Sequence, residues 1–108
     1  MSKYEQRVAN LLEMLKIPYI REYRVDQFRI DFYLPDFKTA IEVDGEHHFN
    51  EDAYIDTNKD DKLYKRKRLD KNKERVLEKM GIKLIRIPYY ELDNIKAVAK
   101  KILKELKG

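Results

Sequence analysis

Three carboxylates stand where strand sequences ordinarily exclude them. Asp31 lies within FRIDFYL, residues 28–34, and Glu42 and Asp44 lie within AIEVDG, residues 40–45. Both segments otherwise have the composition of β-strands. Asp and Glu are depleted in strands, and a carboxylate in a sheet interior is costly unless it is paired or bound to a cation. If the two segments pair as a hairpin, all three carboxylates fall on one sheet face near the strand ends, where they repel one another. A divalent cation would resolve that repulsion, and hard oxygen ligands of this kind suit Mg²⁺, with Mn²⁺ as a substitute. Lysines and arginines on a solvated sheet face are the other possible counter-charge, and the residue types alone leave both open. His47 and His48, the only histidines, directly follow Asp44-Gly45-Glu46. A histidine just past a carboxylate cluster can serve as general acid or base, or orient a metal-bound water; a loop histidine can equally be a plain surface residue.

These residues need elements to hold them. Ser2 and Glu5 have capping-box spacing, and Val8, Leu11, Leu12 and Leu15 then recur at helical intervals, which predicts a first helix ending before Pro18. Tyr19 to Val25 reads as a strand, with Asp26-Gln27 as a tight turn. In Phe28 to Leu34, alternation puts Phe28, Ile30, Phe32 and Leu34 on one face and Arg29, Asp31 and Tyr33 on the other. Pro35-Asp36 turns the chain into a third strand, Thr39 to Asp44. Its Ile41 and Val43 share the core face, and Glu42 and Asp44 point the opposite way. Gly45 opens a polar loop to about Asn58. A long charged helix follows from about Lys59 to Met80, with Leu69, Val76, Leu77 and Met80 as its buried stripe and Gly81 as its stop. Ile82 to Ile87 is a fourth strand closed by Pro88. Leu92, Ile95, Val98, Ala99, Ile102, Leu103 and Leu106 make a last amphipathic helix.

The order is therefore αβββαβα. Short connections make the first three strands an antiparallel meander, and the helical crossover between the third and fourth suits a parallel, right-handed pairing. The expected architecture is α/β: one mixed four-stranded sheet flanked by helices, in a single domain spanning residues 1–108.

Of the 108 residues, 43% are hydrophobic, enough for one modest core, whereas 41% are charged, well above the usual quarter. The net charge is +4, but its distribution says more than its sum. From Lys59 to Arg75 there are nine Lys or Arg against four Asp or Glu. Lys62, Lys65, Arg66, Arg68 and Lys73 in this run are candidate phosphate contacts, which supply affinity without reading sequence. The alternative for this run is a solvated helix face. The tyrosines are too dispersed to argue a stacking platform. The absence of cysteine excludes disulfides and thiolate metal sites and fits a reducing cytoplasm. With no long apolar run, neither a signal peptide nor a membrane span is expected.

RIDFYLPDFKTAIEVDGEHHF (29–49), followed by LDKNKERVLEKMGIKLIRIP (69–88), resembles the very-short-patch-repair-like branch of the PD-(D/E)XK nuclease superfamily. The resemblance runs from Glu5 to Pro88 and implies a restriction-endonuclease-like core in the element order derived above. It implies that Asp31 is the principal metal-binding aspartate, that Glu42 is the acidic member of the (D/E)XK element, and that Val43 offers the metal its backbone carbonyl. Asp44 takes the place of that element's lysine, a departure from the superfamily pattern that leaves the general base unassigned. The branch uses a histidine a few residues on, a role that His48 matches better than His47. Some phage-associated homing endonucleases of the branch have an acidic residue in the first helix and an aspartate in the second, which Glu5 and Asp70 resemble. Against those roles stand the capping box for Glu5 and a plain helix salt bridge for Asp70.

The resulting expectation is an Mg²⁺-dependent endonuclease that hydrolyses phosphodiester bonds in DNA, with Asp31, Glu42, Val43 and Asp44 at the metal. A cytoplasmic location follows, in a host cell if the chain is of phage origin. A nuclease specific for junctions or mismatches, and an inactive nucleic-acid-binding module of the same fold, are the alternatives; RNA remains open as substrate. A homodimer would favour a junction or a double-strand cut, and a monomer a nick.

Overall fold

In the computed structural model, residues 2–45 and 71–107 are described. They form α1 (Lys3–Met14), β1 (Ile20–Val25), β2 (Phe28–Leu34), β3 (Thr39–Asp44), the helical residues 71–79 (α2), β4 (Lys83–Pro88), a 3-10 turn (Tyr89–Asp93) and α3 (Ile95–Lys107). The sheet has the order β1-β2-β3-β4, antiparallel across the first two pairs and parallel between β3 and β4. This is the expected mixed four-stranded α/β architecture.

Local chemistry explains the element ends. The Glu5 N–H donates to Ser2 Oγ at 3.1 Å while the Ser2 N–H donates to Glu5 Oε2 at 3.4 Å, a complete capping box at the start of α1. At the C-terminal end, Ile17 N–H reaches the Leu12 carbonyl and Lys16 N–H reaches Glu13, with Lys16 itself at φ +59°. The same pair of bonds closes α2, from Ile82 to Leu77 and from Gly81 to Glu78, with Gly81 at φ +72°. Glycine takes this left-handed position without the steric cost that Lys16 bears. Asn94 starts α3 by accepting the Ala97 N–H on its side-chain oxygen at 3.2 Å.

Among the described residues the sheet buries two unequal clusters. On one side Phe32, Leu34, Ile41, Ile85 and Ile87 pack with Val8, Leu11 and Leu12 of α1, Leu92 of the 3-10 turn, and Val98 and Ile102 of α3. On the other, Val25, Ile30, Ala40 and Ile82 pack with Leu77 of α2, rimmed by Tyr23, Tyr33, Val76 and Leu84. Along β4, an edge strand, Lys101 of α3 donates from Nζ to the Arg86 carbonyl at 3.0 Å.

Three expectations are corrected. Strict alternation would place Ile30 with Phe32 and Leu34, yet Ile30 belongs to the second cluster and the other two to the first. The strand turns over at Asp31. The β2–β3 register runs from Leu34↔Thr39 only to Phe32↔Ile41, and Glu22, opposite Asp31 in β1, has φ +50°. Met80 is 50% exposed and not part of the buried stripe, because α2 already ends around Gly81. Leu103 is 40% exposed, and Leu92 is buried in the 3-10 turn that precedes α3. Leu69, the remaining member of the α2 stripe, lies outside the described residues.

Candidate active site

The site begins where β2 and β3 part. Past the Phe32↔Ile41 pair the backbone ladder stops, and the Asp31 side chain takes over: Val43 N–H donates to Asp31 Oδ2 at 2.8 Å. One carboxylate oxygen thus replaces a strand partner and holds Asp31 in the gap, with its other oxygen outside that bond. β3 continues alongside. Its Ile41 and Val43 pack with the α1–α3 cluster, so Glu42 and Asp44 project to the α2 side, as alternation predicts.

Glu42 is only 7% exposed. Burial of a carboxylate demands a compensating charge, and α2 supplies it: Lys73 Nζ is ion-paired with Glu42 Oε1. Lys73 is itself mostly covered, and burial pushes its ammonium below its ordinary pKa of 10.5. The Asp31 charge opposes that shift, while Arg86 and Arg29 add to it. Lys73 therefore lies in the field of Asp31 as well as against Glu42. Asp44 pairs with Arg86 Nη1 at 3.5 Å, and Arg86 Nη2 reaches Glu74 Oε1 of α2 at 3.1 Å. The register Glu42↔Arg86 on neighbouring strands brings Arg86 into this row.

The structure thus brings together Asp31 and Val43, Glu42 and Lys73, and Asp44 and Arg86. Glu5 belongs to the helix packed on the opposite side of the sheet; its carboxylate closes the capping box and pairs with Arg21 at 3.3 Å. Arg21 in turn covers the Phe32 ring at 4.7 Å. His47, His48, Asp70, Lys62, Lys65, Arg66 and Arg68 lie outside the described residues. Among the described residues, no three His, Cys, Asp or Glu side chains form a metal-ligating group.

Two members of this network were not assigned to it from the sequence. Lys73 was grouped with the phosphate-binding run, although it stands four residues before the buried Leu77 and so shares its helix face. Arg86 lies in an ordinary strand sequence, and only the β3–β4 register reveals its partner.

A mixed sheet with carboxylates at the parting of its second and third strands, flanked by helices on both sides, is an endonuclease-like α/β fold. Residues 41–106 match the RAP domain family, and the chain belongs to that family. The chain is also similar to a solved structure, the catalytic domain of the homing endonuclease I-Bth0305I. The two are 28% identical, with a TM-score of 0.68 over 96% of this chain and 93% of the other. No curated protein matches the chain.

Proposed function

We propose that this chain is a single-domain, metal-dependent DNA endonuclease of the very-short-patch-repair-like PD-(D/E)XK branch, working at the Asp31–Glu42 end of the sheet. The observation that carries the reading is the placement of Asp31 in the strand gap, fixed by the Val43 N–H, beside a buried Glu42 that requires a cation. The likeness to a homing endonuclease catalytic domain over nearly the whole chain supports it.

By donor type two of the expected ligands suit a divalent cation, whereas the three carboxylates expected to gather form no single ligand group among the described residues. Asp31 and Glu42 are hard oxygen donors, and the position against Glu42 already holds a positive charge in Lys73. Asp31, Glu42 and the Val43 carbonyl would hold Mg²⁺, with Mn²⁺ as a substitute and Asp44 completing the set. When bound, the metal would lower the pKa of a water and offset charge developing on the phosphate. Asp31 keeps its orientation through Val43, so its free oxygen is pre-positioned. Arg86 orients Asp44 and ties it to α2 through Glu74. His48 would move the proton, and Glu5 and Asp70 remain candidate members of the catalytic set. Lys62, Lys65, Arg66 and Arg68 would bind the phosphate backbone, whereas Lys73, expected among them, is engaged with Glu42.

A second reading has its own support. The Glu42–Lys73 and Asp44–Arg86 pairs already neutralise two of the carboxylates, as a binding module without catalysis would have them. The RAP domain match extends that reading to RNA, since it points to nucleic-acid binding without specifying the strand. One assay separates the readings: incubation with nicked, branched, duplex and single-stranded DNA and with single-stranded RNA, with and without Mg²⁺. Mg²⁺-dependent cleavage of DNA is expected. Binding without cleavage under every condition would leave the binding module, and cleavage confined to RNA would reassign the substrate.

A further inference from the structure

We propose that Lys73 is an exchangeable internal counter-ion, which occupies Glu42 until a divalent cation displaces it, and that Lys73 and the metal compete for that carboxylate. The inference rests on the metal reading above, and on the ion pair between Lys73 and the buried Glu42.

A buried carboxylate has few ways to stay ionised. It can accept hydrogen bonds, ligate a metal or pair with a cation. Glu42 is buried on β3, and its Oε1 takes the third course with Lys73. That pairing sets an ammonium against Oε1, on the oxygen that a metal would also ligate. A metal can bind the same oxygen only if the ammonium withdraws, since two cations against one carboxylate repel. Lysine suits the exchange because its four-carbon stem lets the charge swing while the backbone of α2 stays in place. Lys73 stands one helical turn before the buried Leu77, which anchors that face of α2, so the ammonium can move without unpacking the helix.

The test is metal binding to the full chain, measured by calorimetric titration with MnCl₂ alone, without DNA. Lys73→Met removes the competing charge, and Lys73→Gln removes it while keeping a hydrogen-bond donor for Glu42. Both variants are expected to bind Mn²⁺ roughly tenfold more tightly or better, the factor that a charge-assisted hydrogen bond contributes. Their melting temperatures should also rise more on adding Mn²⁺ than that of the parent. Lys73→Arg keeps the charge and should bind like the parent. Unchanged or weaker Mn²⁺ binding by both neutral variants, with the parent still cleaving in Mg²⁺, overturns the competition and leaves the nuclease reading standing. Equal tightening by Lys73→Arg also overturns it, because charge would then not be the cause. If neither parent nor variants bind Mn²⁺ and the parent does not cleave, both proposals fall together.

Discussion

The two sides of the sheet do different work with the same strands. The side covered by α1 and α3 buries a large apolar cluster running from Val8 to Ile102, and its polar groups sit at the margin. The side covered by α2 buries a smaller cluster around Ile30, Ala40 and Leu77 and gives the rest of its area to Glu42, Lys73, Arg86, Asp44 and Glu74. Apolar burial contributes roughly 25 cal/mol per Å² with no directional demand, whereas a buried ion pair about offsets its own desolvation. The first side is thus built for stability, and the second holds charges that the first makes affordable. Substitutions on the two sides should separate stability from activity.

The largest expected effect is on activity. Asp31→Asn keeps an oxygen for the Val43 N–H but removes the charge, so cleavage should fall by roughly a thousandfold or more, the several kcal/mol that a metal contributes to the transition state. The melting temperature should change little. Cleavage kinetics beside thermal unfolding of the same preparation check this; full activity in the variant would remove Asp31 from the site.

Next comes packing. Phe32→Ala should cost about 3–5 kcal/mol in urea unfolding, because Phe32 is fully buried among α1, α3 and the sheet. Leu77→Ala on the other side should cost less, nearer the lower end of about 2–5 kcal/mol, because its cluster is the smaller one among the described residues. Equal losses would mean that the two sides contribute alike.

Glu42→Gln removes the Lys73 counter-charge and should destabilise by roughly 1–2 kcal/mol, below the range for stranding a fixed buried charge, because the lysine stem can carry the ammonium outward. The double variant Glu42→Gln/Lys73→Met should recover most of that loss. A double-mutant cycle with no coupling would show that the pair is not a unit.

The smallest effect is on the alkaline limb of stability, where the two sides should have opposite signs. Lys73, held below 10.5 chiefly by burial, releases its proton in the folded state first. Its contribution to stability therefore rises with pH from that lowered value up to 10.5. Tyr19, which meets Phe32 edge-on on the α1 side, is raised above 10.0 by burial and by its hydrogen bond to Glu13. Its contribution is whole below 10.0 and is lost as pH climbs through the folded value. Lys73→Met should steepen the alkaline loss and Tyr19→Phe should soften it. Unfolding titrations across this range, with both variants moving the curve the same way, would contradict the assignment.

Most of this architecture was legible in the sequence because its signals are local. The capping box at Ser2, the turn at Asp26-Gln27, the Gly81 stop and the β3 alternation each depend on a few neighbouring residues, and each appears where expected. The departures all depend on distant partners. Ile30 changes sides where the β2–β3 ladder stops and Asp31 bonds to Val43, twelve positions on. Lys73 finds Glu42, and Arg86 finds Asp44, through a strand register and a helix placement that no periodicity encodes. The carboxylates announced a site by being out of place; their basic partners, ordinary residues in ordinary elements, did not.

The Lys101 bond to the Arg86 carbonyl bears on how copies of this chain can meet. An edge strand invites a foreign strand to extend the sheet, which is one common route to pairing and to aggregation. Here a carbonyl of the β4 edge is capped by an ammonium, and that ammonium is itself anchored by Glu91 at 3.0 Å. A strand arriving at this carbonyl would have to displace a paired lysine to bond to it. Sheet extension through β4 is therefore hindered at Arg86, the position that faces Glu42 on the neighbouring strand.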